Sequence, residues 1–267
     1  MAVRTRSASP YGLRRLSCAL ALVLCCGAAA TPSAVVYRIR AADGAYPFSA
    51  RLTFISPAGH GRQMACSGVL IAPAWVLTAG HCFRDADGFR VSGSPTYATR
   101  VLLGRPDVDG SGGIEADVQG VQQSLINDVA LVRLSKPVRD IAPAAVWDGE
   151  PTPGLQLLLA GWGATDPARS TPGDHLMLGT VAVTAVTTTE IDVRGVAPSP
   201  ATSACRFDSG APYLNISSDR PPMLVSVEGH GPACPHASLE TTSRVDVLIP
   251  WLTDRLRADS SALQVAP

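Results

Sequence analysis

Residues 204–212 read ACRFDSGAP, and this stretch decides the fold because it sets Ser209 between an acidic residue and a turn of small residues. Two other stretches belong with it. Residues 66–82 read CSGVLIAPAWVLTAGHC and supply His81, while residues 127–134 read NDVALVRL and supply Asp128. A serine hydroxyl is a weak nucleophile that needs a neighbouring base, and the base needs a partner that orients it. His81, Asp128 and Ser209 are therefore candidates for the three parts of a nucleophilic hydrolase.

Each of these signals has an ordinary structural explanation when it is taken alone. A histidine after an apolar run is commonly a turn or core residue, and an aspartate before a serine and a glycine is a common turn. Their coincidence carries more weight, because Cys82 directly follows His81 and Cys205 lies four residues before Ser209. Together the stretches resemble the chymotrypsin/trypsin-like serine protease family, which has histidine, aspartate and serine in this chain order. The resemblance covers nearly everything after about residue 35.

The resemblance implies an all-β fold of two six-stranded antiparallel β-barrels with a C-terminal α-helix. We expect one protease domain in residues 35–267, with the first barrel at about 35–146, the second at about 154–246 and the helix at about 247–257. The residues themselves favour the same architecture. Short apolar or alternating segments separated by Gly, Pro and Asp clusters are typical of small antiparallel barrels. Near the C-terminus, apolar residues recur at about helical spacing: Leu248, Trp251, Leu252 and Leu256.

The resemblance also implies roles for the residues around the nucleophile. The backbone N–H groups of Phe207 and Ser209 would form the oxyanion hole. Phe207 and Ala211 replace two glycines of the family's nucleophile loop, so the N–H of Phe207 has to keep its direction despite a large side chain.

The start of the mature chain shows a second departure from the family. The resemblance implies that the α-amine of a chain beginning at Val35 would pair with Asp208. However, Tyr37 and Arg38 stand where two glycines usually follow, and no Lys or Arg directly precedes Val35. We therefore expect no activation step by a trypsin-like cut.

The residues expected to line the substrate pocket also follow from the resemblance. Ser203, six residues before the nucleophile, would form the pocket floor. Gly229 would replace the serine that normally supports the aspartate of the triad, His230 a tryptophan, and Gly231 would lie beside them in the pocket wall. Glu240 would lie near the back wall, where its carboxylate would either favour basic side chains or simply fill the pocket. A serine floor does not predict cleavage after Arg or Lys.

The first 34 residues have the composition of a secretory signal peptide. They contain four arginines and no acid, and an apolar run at residues 16–30 precedes small residues. A membrane anchor is the alternative, but about 15 apolar residues are short for a span that needs about 20. We expect a secreted protein with no stable membrane anchor.

The number and placement of the cysteines are consistent with an exported protein. Three of the seven lie in the leader, and the even number that remains predicts disulfides with three possible connectivities. The resemblance selects Cys66–Cys82 and Cys205–Cys234.

These observations predict a secreted serine endopeptidase that acts on protein or peptide substrates as a monomer and needs no metal or cofactor. Equal numbers of basic and acidic residues, 22 each, give no indication of nucleic acid as a partner. The alternatives are a protease-like binding protein weakened by Phe207 and an esterase-like hydrolase of small acyl substrates. A single lysine, Lys136, against 21 arginines indicates a GC-rich bacterial source, such as an actinomycete.

Overall fold

The computed structural model describes residues 1–3, 38–55, 64–168, 171–217, 219–259 and 261–267. Val35 and nearly all of the predicted leader lie outside the described residues. The described strands are β1 (Ile39–Arg40), β2 (Ser49–Ile55), β3 (Met64–Ala72), β4 (Trp75–Ala79), β5 (Ala98–Leu103), β6 (Ile114–Gln123), β7 (Val129–Leu134), β8 (Ala145–Trp147), β9 (Gln156–Gly161), β10 (Met177–Val186), β11 (Glu190–Ala197), β12 (Pro212–Ser217), β13 (Arg220–His230), β14 (Glu240–Arg244) and β15 (Val265–Ala266).

The first barrel closes through the order β2-β3-β4-β7-β6-β5, so none of its strands has a free edge. Strand β2 alternates between buried and partly exposed positions, as a barrel strand does when one face meets the core and the other meets solvent. Its inward residue Leu52 is fully buried together with Leu70, Leu77 and Leu131 from the neighbouring strands. The apolar residues of these segments therefore fill the interior of a closed barrel.

The second barrel closes through β9-β10-β11-β14-β13-β12, because β12 pairs with both β13 and β9. Leu157, Leu159, Ile191 and Tyr213 are fully buried inside it. Strand β8 pairs in parallel with β13 and also with β15 at the C-terminus, an extension that the sequence did not predict. The predicted fold of two six-stranded antiparallel barrels is confirmed within the described part of the chain.

The C-terminal helix α1 spans Ile249–Arg257 and follows a 3-10 turn at Asp246–Leu248. The helix begins two residues later than predicted because this turn precedes it and Pro250 occupies its first turn, where no backbone N–H is needed. Leu252 and Leu256 are fully buried against the core, which is the packing face that the helical spacing indicated. No described helix is both long and apolar enough to span a membrane.

Asn127 connects the two barrels beside the start of β7. Its side-chain amide donates hydrogen bonds to the backbone carbonyls of Thr189, 3.2 Å away, and Arg244, 2.9 Å away. Both acceptors belong to the second barrel, in the β10–β11 turn and at the end of β14. One side chain of the first barrel thus fixes the position of Asp128 relative to the second barrel.

We predict that Asn127→Ala lowers the free energy of unfolding by about 1–2 kcal/mol, because two carbonyls at the barrel junction lose their donor. Chemical denaturation monitored by tryptophan fluorescence measures the loss. Asn215→Ala is the matched control, since Asn215 is half-buried in β12 and its side chain makes no hydrogen bond to a described residue. An equal loss in the two variants would contradict the assignment.

Candidate active site

His81 and Asp128 meet at the edge of the first barrel. His81 lies in a 3-10 turn, Gly80–Cys82, directly after β4, and Asp128 directly precedes β7, the neighbouring strand. The backbone N–H of Gly80 donates to the Asp128 carbonyl at 2.9 Å, and a side chain at Gly80 would meet the Asp128 carboxylate at 2.8 Å. Glycine at this position therefore lets the carboxylate approach the imidazole. His81 Nδ1 lies 2.6 Å from Asp128 Oδ2.

Ser209 reaches the same place from the second barrel. It lines a cleft of about 580 Å³ together with His81 and Asp128. No direct hydrogen bond joins its hydroxyl to the His81 imidazole among the described residues. Hydrogen bonds to a nucleophile are often long in free enzymes and tighten when substrate is bound. The three residues that the sequence singled out thus share one cleft, with the imidazole already held by the carboxylate.

Contacts with the first barrel hold the loop that carries Ser209. Ser67 on β3 contacts this loop through both its backbone and its side chain. Its N–H donates to the Ser209 carbonyl at 2.9 Å, and its hydroxyl donates to the Phe207 carbonyl at 3.1 Å. Gly210, with φ of 82°, lies so close to Thr78 and to the β3 backbone that a Cβ atom would collide with them. A glycine after the nucleophile is therefore required by both conformation and space.

Arg90 is a second partner of Asp128, which the sequence did not indicate. Its Nη1 lies 3.3 Å from Asp128 Oδ1, the oxygen that does not face His81. Burial raises the pKa of Asp128, but the hydrogen bond from His81 and the charges of His81 and Arg90 outweigh it and bring the pKa below its ordinary value. Arg90 lies in an irregular segment, where no sequence pattern identifies it as a partner of Asp128. It supports the carboxylate where the sequence predicted no supporting group, because Gly229 lacks a side chain.

Phe207 adopts the backbone conformation that its position demands. Its φ is 76°, in the left-handed region that glycine enters easily and a bulky residue enters at a cost. The N–H groups of Phe207 and Ser209 donate to no acceptor in the described part of the chain. The guanidinium of Arg206 lies over the Phe207 ring, 5.5 Å from its centroid. The loop therefore has the conformation of a glycine-containing loop while it carries an aromatic side chain.

Asp208, directly before Ser209, is fully buried and ion-paired with Arg38. The guanidinium Nη1 and Nη2 lie 3.1 and 2.9 Å from the two carboxylate oxygens. The backbone N–H groups of Gly163 and Cys205 donate to the same oxygens at 2.7 and 2.8 Å. The sequence assigned the partner of Asp208 to the amine of Val35, which lies outside the described residues, and treated Arg38 only as a departure from the family pattern.

The wall of the cleft differs from the predicted pocket. Gly229, Gly231 and Glu240 line the cleft as expected, together with Glu228 and Ala204. Ser203, the predicted floor, is fully buried and does not line it. Its hydroxyl instead accepts a hydrogen bond from the backbone N–H of His236 at 3.4 Å. Two carboxyl groups, of Glu228 and Glu240, therefore line the cleft, and the serine that was expected at its floor does not.

Tyr213 joins these two carboxyl groups. Its hydroxyl lies 2.6 Å from Glu228 Oε2 and 3.1 Å from Glu240 Oε2. A phenol has one proton to donate, so both contacts are hydrogen bonds only when one of the carboxyl groups is protonated. Burial and the charge of Glu240 raise the pKa of Glu228 well above its ordinary value. One proton is therefore shared within this group of three side chains, in which the Tyr213 hydroxyl lies within hydrogen-bonding distance of both carboxyl groups.

Glu240 is the group of this network that ionises near neutral pH. Burial raises its pKa from 4.5 to about 7, although the backbone N–H of Ala204, which donates to Glu240 Oε1 at 2.5 Å, works in the opposite direction. His236 Nε2 lies 3.4 Å from the same oxygen. The one sequence signal that could have identified Glu228 is its position as an acidic residue among the apolar residues of β13. Nothing in the sequence placed Tyr213 beside it.

We predict that the raised pKa of Glu240 makes the protein less stable as pH rises from about 4.5 to about 7. In this window the unfolded chain has lost the proton that the folded chain keeps, so the free energy of unfolding falls with pH. Glu240→Gln should remove on the order of 2 kcal/mol of this fall between pH 5 and pH 8. Denaturant titrations at both pH values measure the difference, with Glu150→Gln, at an exposed site, as the control. Identical slopes in the wild type and Glu240→Gln would refute the assignment.

The two disulfides bracket this site. Cys66 is bonded to Cys82 and Cys205 to Cys234, which is the pairing that the resemblance implied. The first connects β3 to the turn that carries His81. The second connects the nucleophile loop to the segment after β13, at the wall of the cleft.

Comparison with known proteins agrees with the fold. The Trypsin family model matches residues 35–252. Human serine protease 56 is 28% identical over 261 residues, which cover 83% of this chain and 38% of that protein. Trypsin epsilon of Drosophila erecta is 28% identical over 191 residues, covering 63% of this chain and 68% of that protein. Mouse neuropsin, a solved structure, is similar in fold with a TM-score of 0.65 at 19% identity, covering 82% of this chain and 98% of that one.

The chain therefore belongs to the trypsin family of serine proteases. It spans about two fifths of the length of serine protease 56. The relatives named here are animal proteins, so the bacterial source inferred from the lysine and arginine content receives no support from them.

Proposed function

We propose that this protein is a secreted serine endopeptidase that uses Ser209 as nucleophile, His81 as general base and Asp128 as the partner of His81. The observation that carries the proposal is the 2.6 Å contact between His81 Nδ1 and Asp128 Oδ2 in the cleft that Ser209 lines. This contact leaves Nε2 as the ring nitrogen that can accept the serine proton. Membership of the family supports the same reaction.

In the proposed reaction the Ser209 oxygen attacks the carbonyl carbon of a peptide bond while His81 Nε2 takes the hydroxyl proton. The imidazolium that forms lies against Asp128, whose carboxylate is ionised and also held by Arg90. His81 then gives the proton to the leaving amine, and an acyl group stays on Ser209 until water releases it. Arg90 acts on this reaction through Asp128, by keeping the carboxylate charged and fixed in position.

The N–H groups of Phe207 and Ser209 are the proposed donors to the oxyanion that develops during attack. Neither donates to an acceptor in the described part of the chain, so both are available to a ligand. Loss of one such donor typically reduces turnover by about 10²–10³-fold. The left-handed conformation of Phe207 is thus part of the proposed catalytic geometry.

Glu240 bears on the proposed substrate preference. Its carboxylate lies at the back of the cleft and its Cγ would be 3.0 Å from a side chain placed on Gly231. The residue is only 2% exposed, so its side chain occupies space that a large substrate side chain would need. We propose that the pocket accepts small side chains, and that access of a basic side chain to Glu240 improves only above about pH 7, where this carboxyl is ionised.

The second candidate is a protease-like binding protein, and the conformation of Phe207 is the observation that favours it. A bulky residue with φ of 76° stores backbone strain, and its ring lies in the loop beside the nucleophile. If the ring covered the approach to Ser209, the site would bind peptide without cleaving it. The esterase-like alternative needs the same nucleophile and differs only in substrate.

A fluorophosphonate probe with intact-mass detection tests the proposal. We expect one adduct on the disulfide-bonded protein, located on Ser209 by peptide mapping, and none on Ser209→Ala. Digestion of a peptide library then separates the endopeptidase from the esterase-like alternative. A folded protein that gives no adduct would refute the enzymatic function.

Phe207 variants distinguish the enzyme from the binding protein. We predict that Phe207→Gly is more stable than Phe207→Ala by about 1 kcal/mol, because only glycine relieves the left-handed strain. As an enzyme, the wild type already reacts with the probe, and Phe207→Gly reacts at a similar rate because the backbone is already glycine-like. A binding protein would be unreactive as the wild type and become reactive in Phe207→Gly. Thermal unfolding and the rate of probe labelling provide the two measurements.

A further inference from the structure

We propose that Arg38 is a positioning residue that supplies, from within the chain, the buried cation that holds Asp208, Phe207 and Ser209 in their reactive arrangement. This inference rests on the proposed function of Ser209. It assigns to an internal side chain the pairing that the family resemblance gave to the free amine of Val35. The arrangement of Ser209 would then not depend on where the chain is cut before residue 38.

The geometry and the burial of the Arg38–Asp208 ion pair support this role. Arg38 Nη1 donates to Asp208 Oδ1 at 3.1 Å, Nη2 lies 2.9 Å from Oδ2, and both side chains are fully buried. A hydrogen bond between an ionised donor and an ionised acceptor is stronger than one between neutral groups. With the N–H groups of Gly163 and Cys205 added, Oδ1 accepts two hydrogen bonds, while Oδ2 accepts one and lies beside the second guanidinium nitrogen. The charge of the buried carboxylate is therefore balanced by Arg38.

The surrounding glycines make room for this pair. Gly161 and Gly163 lie against the Asp208 carboxylate, and a Cβ atom on either would collide with it. Gly179 on β10 lies against the stem of Arg38, where a Cβ atom would be 3.1 Å from Cγ. Glycines on β9, in the turn after β9 and on β10 thus leave space for the carboxylate and for the arginine side chain.

Strand pairing holds the backbone directly after Arg38, which fixes the point from which the Arg38 side chain extends. Ile39 and Arg40 form β1, which pairs with Leu178 and Met177 of β10. The N–H of Ala41 then donates to the Leu176 carbonyl at 2.9 Å. Arg38 thus enters the site from the beginning of a paired strand.

The pairing bears directly on the nucleophile because Asp208 is its neighbour. The Asp208 N–H donates to the Cys205 carbonyl at 3.0 Å, and the Ala211 N–H donates to the Asp208 carbonyl at 2.7 Å. Removal of the guanidinium would leave a buried carboxylate without a cation, which favours rotation of Asp208 toward water. Such a rotation would turn the N–H groups of Phe207 and Ser209 out of the proposed oxyanion hole.

The test compares wild type, Arg38→Met and Arg38→Lys by the rate of fluorophosphonate labelling and by thermal unfolding. We expect Arg38→Met to label about 10²-fold more slowly, as for loss of an oxyanion donor, and Arg38→Lys to recover part of the rate because it keeps a cation. Guanidinium chloride, at concentrations too low to unfold the protein, should restore labelling of Arg38→Met and leave the wild type unchanged. Rescue by the ion separates positioning from a general loss of stability. A folded Arg38→Met that labels as fast as the wild type would overturn the inference.

A second measurement needs no variant and covers the case in which Arg38→Met does not fold. The full-length chain, produced without export under oxidising conditions so that it retains the residues before Val35, is compared with the exported protein after its N-terminus has been sequenced. Equal labelling rates support the internal cation. Much slower labelling of the full-length chain would mean that a free amine is required, and the inference fails. If neither form labels at all, it is the proposed function that fails.

Discussion

The buried pair between Arg38 and Asp208 is the interaction on which the candidate site depends. A carboxylate without solvent is stable only when charge and hydrogen bonds surround it, and Asp208 has both from one arginine and two backbone N–H groups. Because Asp208 directly precedes Ser209, the demand for charge balance fixes the loop that presents the nucleophile. The disulfide at Cys205 and the hydrogen bond from the Ser67 hydroxyl to the Phe207 carbonyl hold the same loop.

The junction of the two barrels is the second constraint. His81 and Asp128 come from the first barrel and Ser209 from the second, so any relative movement of the barrels would separate base from nucleophile. Gly210 allows the barrels to approach within van der Waals contact, and Asn127 joins them through two carbonyls beside Asp128. The proposed chemistry therefore depends on hydrogen bonds that cross the junction as much as on the three side chains themselves.

The carboxyl pair that lines the cleft sets this chain apart from the pattern that its sequence resembles. Glu228, Tyr213 and Glu240 form a chain of hydrogen bonds that holds one proton in a fully buried place. Such a network is costly unless every member is satisfied, and the N–H of Ala204 completes it at the Glu240 end. The cleft thus combines two buried carboxyl groups with a pKa of Glu240 that is raised to about 7, and the proposed link between substrate access and pH rests on these features.

The sequence by itself determined the double barrel and the identity of the three candidate catalytic residues, because the motifs around His81, Asp128 and Ser209 are local and short apolar or alternating segments mark the barrel strands. It also anticipated that Phe207 would have to occupy a glycine conformation, since that demand lies within the loop. Only the tertiary structure decided the partners of the buried charges. Arg38 meets Asp208 across 170 residues and Arg90 meets Asp128 across 38, while Ser203, the predicted floor, is buried and does not line the cleft. Pairs of this kind leave no periodic signal, because the approach of two side chains depends on how strands far apart in the chain pack and on which small residues leave space between them.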